Sequence, residues 1–443
     1  MIFDTMKHKG CAFLAWLGVA GLFGHPAFAG EVHPVPETYD EVEVETATGG
    51  PRLLFSDSPE CVYEKGILFR GVADGDTRLF LHHLNETKET LKIAVLLRPV
   101  SEGTFITWGL RGIGTPNSNY FEAARESQRQ YFEEYVKNRS FMTRPDYKDY
   151  QHERRRARDG YAPDYYNIYA NRSLAVTHLN PGEFVEGLSL AKNSRFLGTR
   201  IRPQELLTGM FDFRTRGPVE VLVLIMGLKD DAVAFANTAK ELPMDEHPLR
   251  GIYDHGDLTL FVKKPVALLP GQAAGLTMGV SDDPLFLKGK DPMSGTETVN
   301  YGNYGVIYHV VYDLDPSTGD EPVSLSCNPW GGNFAGTGLA IGKEEKVIGI
   351  PPTREVFHEQ DKRETVLKLT PSQDGVRQEF LWSPPGASNL PLRIFWTKDV
   401  PERKVPVKSN RNGEETGRMR AAFERFKAER DGVPDAPQTV TPK

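Results

Sequence analysis

Cysteine is scarce in this chain, with three in 443 residues, and only Cys61 and Cys327 lie beyond the N-terminal apolar run. Two thiols cannot build the multi-bridge framework of a small secreted scaffold, and they form no Cys-x-x-Cys pair for zinc or redox work. Two readings remain. Cys61 and Cys327 could form one disulfide in an exported protein, or Cys327 is a buried core thiol, since it alternates with Val323 and Leu325 in "VSLSC".

Basic excess is also missing. Lys and Arg number 53 against 60 Asp and Glu, a net charge of −7, which argues against the electropositive footprint of a general nucleic-acid binder. No second long apolar run follows the first, so no transmembrane segment is expected once the first is removed. Signatures of common catalysts are absent too. There is no Gly-x-Ser-x-Gly elbow, no His-Glu-x-x-His and no Gly-Lys-Ser/Thr ending to a glycine loop. No catalytic residue, cofactor or metal is therefore assigned.

What is present begins with an export signal. Lys7 and Lys9 precede an apolar run from Cys11 to Phe23, and Ala27-Phe28-Ala29 before Gly30 is a small-x-small cleavage pattern. The expected mature chain starts at Gly30 and is secreted or held in the cell envelope.

Strand signals dominate the remainder. "GILFRGVA" (66–73), "TRLFLHHL" (77–84), "LKIAVLLR" (91–98), "VEVLVLIMG" (219–227), "YGVIYHVVYDL" (304–314) and "LRIFW" (392–396) are short, branched or aromatic, and bounded by turn formers. This density predicts an all-β fold with a few helices, arranged as two β-sandwich-like domains. The helices are an inserted one over 120–138, a short one over 230–242 capped by Asp230 or Asp231, and an amphipathic C-terminal one over 418–430. Ala124, Tyr131, Phe132 and Tyr135 group on one side of the first.

The expected organisation is a signal peptide (1–29), a linker (30–49), a first sandwich (50–240) with an insertion at 116–172, a second sandwich (241–400), and a C-terminal helix with a disordered tail (401–443). Similar strand–turn–strand phrases at 78–106 and 306–336 fit two related domains.

The stretch "NPWGGNFAGTGLAIG" (328–342) contains Gly336, Gly338 and Gly342 at a spacing reminiscent of a phosphate cradle. A dinucleotide loop needs a helix next, but "KVIGI" restarts a strand, so turns and close backbone approach around Trp330 are expected. A cluster of acids and histidines at 245–257 lacks regular ligand spacing and reads as a solvated loop rather than a metal site. The Tyr- and Arg-rich insertion around "HERRRAR" (152–158) suits stacking and hydrogen bonding to a carbohydrate or protein surface. The candidate ligand-binding residues are Trp330, Arg154, Arg155, Tyr165 and Tyr166.

Four phrases, "GLRGIGTPNSNYFEAARESQRQYF" (109–132), "LRGIYDHGDLTL" (249–260), "NYGNYGVIYHVVYDL" (300–314) and "SPPGASNLPLRI" (383–394), resemble a group of secreted bacterial envelope proteins. Members often carry a copper-amine-oxidase-N-terminal-like stalk domain, of which this chain shows no copy. The resemblance implies an exported, β-rich, surface-located protein and transfers no catalytic residue. Together these features predict a non-enzymatic envelope or extracellular protein with a structural, adhesive or binding role toward cell-wall glycan or another surface protein. The alternative is an exported carbohydrate-active enzyme that uses paired carboxylates.

Overall fold

A computed structural model describes residues 30–139, 176–180, 182–187, 200–246, 249–281, 283–319 and 321–398. These residues belong to one compact unit, Met1–Asp399. The second unit, Val400–Lys443, including the expected helix at 418–430, lies outside the described residues.

The described residues form an all-β fold with few helices, built from four sheets. Numbering strands in chain order, a nine-stranded sheet runs β10 (Val176–His178), β9 (Phe105–Ile113), β12 (Leu206–Arg216), β7 (Asp76–Asn85), β4 (Arg52–Ser56), β14 (Gly251–Tyr253), β17 (Lys288–Lys290) and β18 (Glu297–Val299), with β5 (Cys61–Val62) beside β7. A four-stranded sheet of β11 (Val185–Glu186), β8 (Leu91–Pro99), β13 (Val219–Gly227) and β6 (Gly66–Ala73) packs against it.

Two six-stranded sheets make the second sandwich. One is β1 (Val32–Pro34), β23 (Lys362–Leu369), β20 (Val323–Asn328), β25 (Leu392–Lys398), β16 (Ala273–Met278) and β2 (Asp40–Glu41). The other is β22 (Glu345–Ile350), β21 (Gly336–Ile341), β24 (Arg377–Trp382), β19 (Ile307–Asp313), β15 (Asp257–Val262) and β3 (Val44–Gly49).

The two-residue periodicity of a strand explains how the sandwiches are built. On β7, Leu79 and Leu81 enter the core shared with Ile93, Val95, Val221 and Val223 of the four-stranded sheet. The intervening Phe80 joins the other core, which the two six-stranded sheets share through Leu276, Val310, Tyr312, Phe380 and Trp396. Strand β4 does the same: Leu54 belongs to the first core, and Leu53 and Phe55 belong to the second. All three are fully buried. A strand covered on both faces must be apolar throughout, which accounts for the unbroken "LLF".

Helix α1 (Tyr120–Arg139) fills the space between the sandwiches. It packs on β9 and β12 on one side and on β21 and β22 on the other. Ala124, Tyr131, Phe132 and Tyr135 are all buried, as their spacing predicts. Gln128 is the polar pin. Its Nε2 donates to the Ser383 carbonyl at 2.7 Å, and its Oε1 accepts from the Thr337 amide at 2.8 Å. Helix α2 (Ala232–Ala236) is capped by Asp231, whose side chain accepts from the Ala234 amide.

Strand pairing crosses the sequence divisions. Residues 30–49, read as a linker, carry β1, β2 and β3, each paired within the second sandwich. Conversely, β14 pairs with β4 and so extends the first sandwich's sheet with residues from beyond 241. Long-range pairing of this kind leaves no composition signal, because an edge strand and a polar linker both read as short alternating stretches.

Candidate functional site

The residues from Asn328 to Gly332 form a tight turn after β20. Gly331 donates to the Pro391 carbonyl at 2.8 Å, and Gly332 to the Pro329 carbonyl at 3.0 Å. A Cβ on Gly331 would overlap the Leu390 carbonyl, and Gly332 holds φ +117, a conformation that only glycine adopts cheaply. This turn presents Trp330, whose exposure is 42%. Strand β25 brings Arg393 opposite Asn328, and its guanidinium carbon lies 3.0 Å from the Trp330 ring centroid. The cation over the indole face is attracted by the ring quadrupole. Partial burial pulls the Arg393 pKa down, against the pull of Tyr39 and Glu41. The result is an exposed indole with a half-buried guanidinium over its face. Arg154, Arg155, Tyr165 and Tyr166 lie outside the described residues.

The glycine phrase beside Trp330 is a strand and turn. Gly336 and Gly338 lie within β21, which pairs with β22 through the turn at 342–344. Close approach explains the glycines, since a Cβ on Gly338 would meet the Phe380 ring at 2.8 Å. No helix follows.

A second group surrounds the end of β4. Asp57 is buried, and its Oδ1 has no hydrogen-bond partner. Burial, then the charges of Glu60 and Asp245, hold its carboxyl well above the usual carboxylate range. Asp245 itself is a clamp. It accepts from the Ser58 hydroxyl at 2.8 Å and the Glu60 amide at 2.7 Å. Nearby His82 is buried, its Nε2 lies 3.8 Å from Glu60 Oε1, and burial followed by His83 pulls its pKa to about 3. His83 is a satisfied core histidine, bonded to Ser56 Oγ and the Pro59 carbonyl at 2.9 Å each. Sequence reasoning passed over Asp57 because "SDSPE" reads as an ordinary turn.

A third group is larger and mostly internal, with Asp257 half-buried. Arg78 donates to Asp212 with Nε at 2.8 Å and Nη2 at 3.0 Å, to Asp257 at 2.9 Å, and to the Tyr131 hydroxyl at 2.9 Å. Tyr131 donates in turn to Asp212 at 2.8 Å. His309 lies 2.8 Å from Glu379 and 3.7 Å from Asp257. Every charge here has an opposite charge or hydrogen-bond donor, so the group is a structural junction.

The acidic loop at 245–257 is thus divided. Asp245 serves the 58–60 turn, Asp257 serves Arg78, and Asp254 is 92% exposed, 3.8 Å from Arg52. Among the described residues no group of three His, Cys, Asp or Glu is placed to hold a metal ion. Cys61 on β5 and Cys327 on β20 belong to different sheets and are not joined in a disulfide. Cys327 is a core thiol, and burial pushes its pKa up. A cavity of about 320 Å³ beside β9 is lined by Ile113, Gly114, Thr115, Pro116, Arg200, Arg202 and Glu205. Among the described residues that line it, Glu205 is the one carboxylate.

Comparison with protein-family models finds no match to this chain. Comparison with curated proteins finds none either. Among the described residues no helix is long and apolar enough to cross a membrane.

Proposed function

We propose that this is an exported envelope or extracellular protein that binds a glycan surface through Trp330 and Arg393. The observation that carries this reading is the fixed turn at 328–332, which holds an indole in solvent with a guanidinium over it. Apolar sugar faces stack on such rings, and the cation adds donors for hydroxyls and carboxylates. The export-signal pattern at 1–29 and the resemblance to secreted bacterial envelope proteins support the location. Co-sedimentation of the protein with purified cell-wall glycan tests the reading. Trp330→Ala should weaken binding about tenfold or more with an unchanged melting temperature, the loss of roughly 1.4 kcal/mol. Wild-type protein that stays in the supernatant at all concentrations sinks it.

One observation favours the alternative, a carbohydrate-active enzyme using paired carboxylates. Asp57 is a buried acid with an unpartnered Oδ1, and burial followed by the charges of Glu60 and Asp245 pushes its carboxyl upward, the direction a general acid needs. Release of reducing sugar from cell-wall glycan, abolished by Asp57→Asn with folding intact, would favour it over binding alone.

A further inference from the structure

Strand β1 ends the second sandwich at the edge of its sheet, with Val32 opposite Glu364 and the Glu31 carbonyl accepting from the Thr365 amide at 3.0 Å. Glu364 on β23 is fully buried. Its Oε1 accepts from the Thr353 amide at 3.0 Å and the Thr353 hydroxyl at 2.6 Å. Its Oε2 lies 3.3 Å from Arg354 Nε but has no hydrogen-bond partner. One oxygen of a buried carboxylate is therefore short of a donor, which is costly in a protein interior.

Gly30 abuts this carboxylate. A Cβ there would stand 2.5 Å from Glu364 Oε1 and 2.9 Å from Pro352 Cγ. Covalent geometry puts the nitrogen of a residue about 2.5 Å from its Cβ, so the Gly30 nitrogen is within about 5 Å of Oε1. The same glycine follows Ala27-Phe28-Ala29.

The geometry points to a maturation contact: hydrolysis of the Ala29–Gly30 bond creates an α-ammonium that pairs with buried Glu364 and locks β1 onto the sheet. Water adds across the peptide bond, leaving a carboxylate on Ala29 and an amine on Gly30 that takes up a proton. An amide nitrogen at this place carries one proton and no charge. The ammonium carries three donors and a full positive charge, and so brings a counter-charge beside a buried carboxylate whose Oε2 lacks a hydrogen-bond partner. A Cβ at the new terminus would crowd Glu364 and Pro352, so glycine fits this place with the least adjustment. The other charged groups around the contact are Arg354, Arg125 of α1, and Glu31, His33, Arg363 and Lys368 along β1 and β23.

This contact rests on the export reading, but a chain opened at Gly30 in vitro tests it apart from what the cell cleaves. Two proteins are compared, residues 30–443 and residues 28–443, the second keeping Phe28-Ala29 in peptide linkage. The chain starting at Gly30 should melt about 2–4 °C higher at pH 6–7. The free α-amine has a pKa near 8. Pairing raises it in the folded state, so the advantage is complete below about pH 8 and lost as pH rises through the raised value. Glu364→Gln should remove the difference. Should that variant fail to fold, the rate of α-amine acylation at pH 7 in the wild type decides, with protection of about tenfold or more over an unfolded control expected from buried pairing. Equal melting temperatures for the two chains at every pH, or an α-amine acylated as fast as in the control, overturns the contact. An exported protein with a different N-terminus would instead count against the export reading alone.

Discussion

Arg78 Nη1 on β7 donates to Asp257 Oδ1 on β15 at 2.9 Å, and this bond joins one sandwich to the other. The same guanidinium is bidentate on Asp212 of β12 and reaches Tyr131 of α1. Strands β7, β12 and β15 and helix α1 thus meet at one buried cation.

Removing that cation should be severe. Arg78→Met leaves buried Asp212 and partly exposed Asp257 without their cation, at a cost of about 3–5 kcal/mol. Urea unfolding should show the loss, and the double variant Arg78→Met/Asp212→Leu should recover much of it. A single variant within about 0.5 kcal/mol of wild type would show that the pair contributes nothing.

His309 should make stability depend on alkaline pH. Burial pulls its pKa down, but the Asp257 carboxylate 3.7 Å away and the hydrogen-bonded Glu379 outweigh burial and push it up to about 9. Its folded pKa exceeds its unfolded value near 6.5. The stabilisation is therefore complete below about pH 6.5 and lost as pH rises through about 9. His309→Gln should flatten the denaturant midpoint across this window.

Asp57 should behave in the opposite way to a salt-bridged acid. Its folded pKa lies above its unfolded one, so folding favours the protonated form. Stability is full below the unfolded value and falls as pH rises toward the folded value. Asp57→Asn should melt like wild type near pH 4 and higher than wild type at pH 8. Equal melting at both would remove Asp57 from consideration as a strained, functional acid.

Gly112 on β9 marks where α1 touches the sheet. A Cβ there would overlap the Ser127 carbonyl of the helix, and Ser127 Oγ donates to the Gly112 carbonyl at 3.0 Å. Gly112→Ala should destabilise by about 1–3 kcal/mol through overpacking, read as a lower melting temperature. An unchanged value would mean that the helix can move away without cost.

The sequence by itself determined the local elements, because local patterns encode them. Short branched and aromatic runs bounded by turn formers, "TRLFLHHL" and "VEVLVLIMG", gave β7 and β13, the apolar stripe gave α1, and the restart at "KVIGI" ruled out a helix after Gly338. It also singled out Trp330, since an aromatic among turn glycines is visible in one dimension. Tertiary structure alone decided which strands meet. Nothing in "VHP" or "VETATG" says that residues 32–49 complete sheets whose other strands begin at 257. The charged partners were equally hidden. Arg78 finds Asp212 across 134 residues and Asp257 across 179, and a charge on a strand looks solvent-facing until the sheet's second face is covered. A buried ion pair depends on desolvation and on distance in space, and neither is a property of neighbouring residues along the chain.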